Sequence, residues 1–316
     1  MESGRWRGRW DGNSRDVRGS RDPGLGTRTR DRSVVAIIGL GLIGGSLARA
    51  VKRRFPRRAL IGVETNARAR ALARASGIFD AILPRPTEAL RGCGIVVLCA
   101  PVPAILRLLG PVSRQMRDGA ILTDVGGVKV PIADAARRAV RKGVSFVGAH
   151  PMFGGEQGGF AFSRPDLWNG GRVAVCIDGG ERDALARVAR LHRDLGARIV
   201  LCSSAEHDAA VAAVSHLPYV VANALALTAR DSGALARVLA GPGFTDATRL
   251  AGFAFEVQGR AAASNRCLDK AIRLFRRHLT RLDREIRRPS GGALFDRASA
   301  IRRALVRNVA PRRRSS

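Results

Sequence analysis

The chain has 316 residues, 46% of them hydrophobic, and a formal net charge of +29 from 55 Lys+Arg against 26 Asp+Glu. That length fits about two domains with a sizeable core, and no stretch offers the ~18 uninterrupted apolar residues of a membrane helix. The five cysteines (Cys93, Cys99, Cys176, Cys202, Cys267) form no C-x-x-C pair and no apolar leader opens the chain, which reads as reduced thiols in a cytoplasmic protein without a metal site or disulfide framework.

Residues 1–32 alternate Arg, Gly, Asp and Ser with almost no aliphatics, too little apolar surface to offset the entropy of ordering, so disorder is expected there. The excess charge is nearly all Arg and aromatics make up only 5%, so it reads as a solvated surface that steers anions to the protein, not as a nucleic-acid interface.

From Ser33 to about Met152 continuous apolar runs alternate with amphipathic ones. Strands are expected near 34–39, 59–64, 95–100, 120–125 and 144–149, and helices near 43–54, 66–75, 102–116 and 128–141. Unbroken apolar strands between amphipathic helices predict a doubly wound, mostly parallel sheet of Rossmann type. A strand over Arg172–Ile177, a helix over Glu181–Leu195 and a strand over Arg198–Cys202 read as an extension of that sheet. From Ala205 the pattern is helical. A long helix over Ala205–Ala229 has Ser203 or Ser204 as N-cap and Pro218 as a kink. Further helices over Leu268–Ile286 and Phe295–Val306 carry a stripe of Leu268, Ile272, Phe275, Leu279, Leu282 and Ile286, divided between core and a dimer contact. The resulting division is a tail at 1–32, a dinucleotide-binding domain at 33–203, a helical domain at 204–308 and a basic tail at 309–316.

The first chemical signal is VVAIIGLGLIGGS, with Gly39, Gly41 and Gly44 spaced G-x-G-x-x-G between a strand and a helix. Gly39 permits the tight turn, Gly41 the close approach of a pyrophosphate, and Gly44 the packing of helix on strand. Leu42 and Ile43 open the helix whose free N–H groups face the phosphates. Glu64 ends the next strand 20 residues beyond Gly44, where a carboxylate takes the ribose hydroxyls of NAD and repels the 2′-phosphate of NADP. Ala100, Pro101 and Val102 leave another strand end along the same crevice.

Two further strand ends carry TDVGGVK, with Asp124, Gly127 and Lys129, and GAHPMFGGEQGG, with His150 and Glu156. A neutral imidazole at that rim suits a general base, its ordinary pKa lying near 6.5. In the helical region SHLPY places His216 and Tyr219 around Pro218, and FTDATRLA offers Arg249, a rigid fork for a carboxylate. His207 and Asp208 of AEHD read as helix-setting and supporting residues.

Together GLGLIGGSLA, DVGGVK, HPMFGGEQGG, EHDAAVAAVSHLP and DATRLA resemble the prephenate/arogenate dehydrogenase family of tyrosine biosynthesis, over roughly Val34–Arg303. The resemblance implies a nucleotide-binding domain, a helical dimerisation domain and an active site between them. It implies NAD-dependent oxidative decarboxylation of prephenate to 4-hydroxyphenylpyruvate, or of arogenate to tyrosine, by a homodimer. It gives His150 the substrate hydroxyl, Arg249 a substrate carboxylate, Glu156 the pocket mouth and His216 a supporting place. Asp124 and Lys129 shape the cofactor-proximal loop, and Gly127, Lys129 and Tyr219 lie on the substrate side. The chain departs from the family pattern at Gly127, where a Ser often supports the catalytic His, and at Tyr219, where prephenate-using members often have His. It also departs at Thr245, where Arg is frequent, and lacks the usual Trp-containing segment after DATRLA.

Overall fold

The computed structural model describes residues 34–309. The expectations for residues 1–32 and for the basic tail lie outside them, except that Val309 ends the last helix.

The α/β half runs β1 (Val34–Ile38), α1 (Leu42–Arg54), β2 (Leu60–Val63), α2 (Ala67–Ala75), β3 (Ala81–Leu83), β4 (Cys93–Leu98), α3 (Val102–Arg114), β5 (Ile121–Asp124), α4 (Val130–Ala139) and β6 (Ser145–Val147). Its six strands lie in the order β3-β2-β1-β4-β5-β6, and every neighbouring pair is parallel. The order reverses between β1 and β4, the topological switch point at which doubly wound sheets open a ligand crevice. The short β3, absent from the pattern reading, adds the edge strand beside β2. Both faces are covered. Val35, Ile37, Val97 and Ile121 pack on one side, and Ala36, Val96, Leu98 and Leu122 on the other, all at most 2% exposed.

At Gly148 the chain leaves this sheet. The expected strand over 144–149 is two pieces, and the second, β7 (Ala149–Pro151), belongs to a separate three-stranded sheet with β8 (Arg172–Cys176) and β9 (Arg198–Cys202). The later strands therefore do not extend the main sheet. β7 pairs antiparallel with β8, and β8 parallel with β9 across the crossover helix α5 (Arg182–Asp194). Alternation alone cannot reveal which sheet a buried strand joins; the switch rests on a single residue between β6 and β7.

The helical half begins with α6 (Ser204–Val211), capped by Ser203 in a reciprocal box with Glu206. Pro218 lacks the N–H that would bond back along the helix. The disruption takes the form of a widened π turn over Ala212–His216 before α7 (Leu217–Asp231) resumes. Among the described residues Ser204–Asp231 is the one helix long and apolar enough to cross a bilayer by length and composition. Its His207, Asp208 and His216, each at most 3% exposed, are committed to contacts inside the protein. The chain continues as α8 (Ala234–Val238), α9 (Pro242–Thr248), α10 (Arg260–Ala263), α11 (Leu268–Ile286) and α12 (Ala293–Val309). No residue of α8, α9 or α11 is buried. On the predicted stripe Leu268, Ile272, Phe275 and Leu282 are half-buried, while Leu279 and Ile286 are exposed.

Candidate active site

The glycine turn behaves as its spacing requires. Gly39 has φ +95°, and a Cβ there would lie 2.2 Å from the Cys99 carbonyl oxygen. A Cβ on Gly44 would lie 2.0 Å from the Gly39 oxygen, so helix and turn meet with no room for a side chain. A Cβ on Gly41 would meet nothing within 4 Å and would stand in the open crevice instead. Gly41 is the N-cap of α1, with no side-chain cap and no acidic residue in the first turn. Its amides and dipole are thus presented to an anion. Leu42 and Ile43 are half-buried beside it, and Ala100, Pro101 and Val102 continue the crevice from the end of β4 into α3. The Glu64 carboxylate sits at the end of β2, accepting hydrogen bonds from Leu40 N and Asn66 N, both at 2.8 Å. These residues fit a dinucleotide: an open glycine cradle, a free helix N-terminus and a carboxylate beyond it.

His150 lies on β7 at the carboxyl end of the main sheet, with its ring edge-on to His207, centroids 5.1 Å apart. Its Nδ1 is 2.9 Å from His207 Nε2, and His207 Nδ1 is 2.7 Å from Asp208 Oδ1. Asp208 also accepts the backbone N–H groups of Lys129 at 2.7 Å and Val130 at 2.9 Å, the opening residues of α4. A carboxylate satisfied by amide donors only accepts, so His207 donates to it from Nδ1 and accepts at Nε2. His150 must then donate from Nδ1, which leaves its Nε2 as a bare lone pair. Burial first, then the neighbouring His207, Lys129 and His216, hold His150 well below the usual histidine range. The ring is neutral and its tautomer is fixed. The structure places His207 and Asp208 behind His150 as well as in the first turns of α6.

Lys129 and Asp124 form an ion pair with side chains 1% and 0% exposed. The ammonium also donates to the Ala149 carbonyl at 2.6 Å, and Asp124 accepts from Gly126 N at 2.8 Å. The pair fixes the residue before His150 and the glycine loop opposite it. The sequence places Lys129 on the substrate side and Asp124 on the cofactor; in the structure both side chains are turned inward, onto each other and onto the backbone of Ala149 and Gly126.

His216, 1% exposed, is held at Nδ1 by Asn265 Nδ2 at 3.0 Å and is also hydrogen-bonded to the Gly127 backbone. Asn265 also donates to the Asp208 carbonyl at 2.8 Å, so one amide joins the two helical segments of the site. Burial lowers the His216 pKa, and Asp208 and the bond to the Gly127 backbone oppose it. Through that bond His216 positions the Gly127 loop. Gly127 itself sits between His150 and α10: a Cβ there would lie 3.1 Å from Ala261 Cβ and 3.8 Å from His150 Nε2. Tyr219 is 8% exposed on α7. Arg249 and Glu156 meet across the mouth at 3.4 Å, with side chains 54% and 49% exposed. Asn265 had no sequence signal, since a lone Asn between two helices reads as a turn residue.

A dinucleotide cradle at the switch point and a fixed neutral histidine beside it define a Rossmann-type dehydrogenase. The family model "Prephenate dehydrogenase, nucleotide-binding domain" matches residues 47–201, and "Prephenate dehydrogenase, dimerization domain" matches residues 203–297. The chain is 31% identical to the cyclohexadienyl dehydrogenase of Zymomonas mobilis over 69% of its own length and 75% of that protein. It is 28% identical to the prephenate dehydrogenase of Bacillus subtilis over 70% of its length, and that match spans 61% of the relative. Among solved structures it is similar to prephenate dehydrogenase from A. aeolicus in complex with hydroxyphenyl propionate and NAD+, with TM-score 0.81 and 26% identity, covering 89% of this chain and 99% of the other. The chain belongs to the prephenate/arogenate dehydrogenase family.

Proposed function

We propose that this chain oxidatively decarboxylates prephenate or arogenate, with NAD as cofactor and the homodimer as the working form. The observation that carries the reading is the His150–His207–Asp208 hydrogen-bonded chain at the crevice edge, which engages Nδ1 of His150 and leaves Nε2 to face the substrate. Bound NAD supplies the hydride acceptor for the carbon bearing the ring hydroxyl. His150 Nε2 takes the hydroxyl proton as that carbon is oxidised. The ring carboxylate leaves as CO2, and its bonding electrons complete the aromatic ring. Arg249, already facing Glu156, pairs with a substrate carboxylate, and Glu156 gives way at the mouth. Gly127 and Tyr219 border the substrate side. His216, Asn265, Lys129 and Asp124 hold the loop and strand that carry the chemistry. Positioning and electrostatics suffice because aromatisation supplies much of the driving force.

NAD is preferred over NADP because the Glu64 carboxylate occupies the ribose end of the cradle. Dimer formation is favoured by the apolar surface left bare on the helical half, including Leu227, Leu235, Leu239, Leu279 and Ile286 at 52–72% exposure.

The test is a steady-state assay of prephenate and arogenate, each with NAD and NADP, following reduced cofactor. Turnover of at least one substrate is expected, with NAD the better cofactor. His150→Ala is expected to lower kcat by roughly 10³-fold with little change in KM, the scale of a lost general base. A folded chain that binds NAD and turns over neither substrate sinks the assignment; a His150→Ala variant with parental kcat sinks the mechanism.

A further inference from the structure

Cys176 ends β8 and Cys202 ends β9, and the two are register partners at the last rung of the parallel ladder. Register partners project to the same face, so the two thiols lie side by side at the end of the ladder. Both are free thiols. Neighbouring strands run about 4.8 Å apart, inside the ~4.4–6.8 Å between Cα atoms that a disulfide spans.

Cys202 is the accessible member of the pair, and Cys176 is 2% exposed. Cys176 lies at the inner end of a cleft of about 320 Å³ between α4 and the turn after β8, with Lys129, Asp178 and Ser204 around it. Cys202 is half-buried on an edge strand whose Val200 and Leu201 are exposed. The pair is also tied to the site. Cys202 directly precedes Ser203, the N-cap of α6. Asp178, two residues after Cys176, accepts Ser204 N at 3.1 Å and Ser204 Oγ at 3.0 Å. Both cysteines therefore adjoin residues, Asp178 and Ser203, that anchor the first turn of the helix that carries His207 and Asp208.

We propose that Cys176 and Cys202 form a redox site: peroxides close it to an intramolecular disulfide, dithiols reopen it, and closure lowers turnover by shifting the start of α6. The Cys202 sulfur attacks the peroxide O–O bond, giving a sulfenic acid and releasing water or an alcohol. The Cys176 sulfur then displaces the sulfenic oxygen, which leaves as water, so two thiols and one peroxide give one disulfide. Cys202 is the first to react because it is the more accessible and because the Cys176 S–H donates to it, lowering its pKa. That same hydrogen bond, followed by burial, raises Cys176, the resolving thiol. Elsewhere burial pushes Cys93 up to about 11 and raises Cys99 as well, so these remain unreactive thiols.

The dithiol chemistry stands apart from the reading of the active site; only its effect on turnover rests on that reading. The purified full chain is treated with hydrogen peroxide, alkylated under denaturing conditions and digested with trypsin. The expected product joins Val173–Arg182 to Ile199–Arg230, with two of the five free thiols lost. Turnover is expected to fall about tenfold, less than a full 1 Å displacement of a catalytic group costs, and to return with dithiothreitol. Cys202→Ser should keep its turnover under peroxide. Cys176→Ala should stop at a sulfenic acid on Cys202, trapped by dimedone. Five free thiols after peroxide, or a link between other cysteines, overturns the redox site. A mapped disulfide with unchanged turnover overturns the coupling. If the reduced chain is inert with both substrates, the peptide map still decides the dithiol, and only the functional reading fails.

Discussion

The two halves of this molecule are stabilised in different ways. In the α/β half, strands such as β4 are buried along their whole length, and helices cover both faces of the sheet. In the helical half α8, α9 and α11 contain no fully buried residue, and large apolar side chains face outward. The first half closes its own core; the second leaves an apolar face exposed in the single chain. His150 belongs to the first half, and the groups it is hydrogen-bonded through, His207 and Asp208, to the second. Alignment of His150 therefore depends on how firmly α6 is docked on α4.

The largest expected effect tests that dependence. In Asp208→Asn the amide must turn its NH2 toward a donor, either at Val130 N or at the Lys129 N and His207 Nδ1 pair. With the NH2 toward His207, that ring loses its fixed tautomer, and Nε2 of His150 ceases to be a reliable base. A kcat loss of about 10³-fold is expected, somewhat below the ~10⁴ of an equivalent lesion in a serine protease. NAD affinity, measured by fluorescence titration, should stay within about twofold, because the glycine cradle lies wholly in the other half. Parental kcat would show that Asp208 serves only as the anchor of α4.

Acid should attack the α/β half. His192, fully buried, accepts the Trp168 indole N–H at 3.0 Å, and its Nε2 has no partner. Burial brings its pKa down to about 4 from the ordinary 6.5. The folded state thus binds fewer protons than the unfolded one. Its contribution is complete above pH 6.5 and is lost as pH falls from there toward 4, by at most about 3 kcal/mol. The lowered pKa values of His150 and His216 add in the same direction. Denaturant titrations between pH 7.5 and 4.5 should show this slope, reduced in His192→Gln. An unchanged slope would assign the acid sensitivity elsewhere.

The unfinished face predicts a smaller, concentration-dependent effect. Leu279 is 55% exposed in the single chain, so Leu279→Asp should leave the isolated protomer nearly unchanged. Within a dimer the new carboxylate would be desolvated where an apolar side chain had packed, costing about 2 kcal/mol. Sedimentation equilibrium should show a dimer for the parent and a shift toward monomer for the variant. A variant that stays dimeric places the interface away from this part of α11.

Much of this was legible because it is local. The G-x-G-x-x-G turn is dictated by close approaches within a few residues, and Gly39 and Gly44 meet the clashes their spacing implies. The amphipathic α11 matches its periodicity end to end. What escaped the sequence is non-local. The change of sheet at Gly148, the inward turn of Lys129 and the role of Asn265 each depend on which segments meet in space. The pairing of His150 with His207 spans 57 residues. Within AEHD nothing distinguishes a histidine that aligns another from one that merely caps a helix.

The smallest effect lies on the seam between the halves. Gly127 is hydrogen-bonded through its backbone to His216, and its α-carbon faces Ala261 of α10. A serine there would bring its Cβ to 3.1 Å from Ala261 Cβ, closer than ordinary van der Waals separation, so α10 would have to give by a few tenths of an ångström. Gly127→Ser should cost about 1 kcal/mol of stability, the low end for overpacking. Ala261→Gly removes the obstructing methyl, so the double variant should be more stable than the sum of the single changes allows, a coupling that thermal unfolding resolves. The new hydroxyl would stand near His150 Nε2, yet the ring is already oriented through its other nitrogen. Turnover of the double variant should therefore stay within about threefold of the parent, a small fraction of a general base's contribution. A tenfold gain would mean that the His207–Asp208 chain aligns His150 only in part, and that the missing hydroxyl at this position limits the rate.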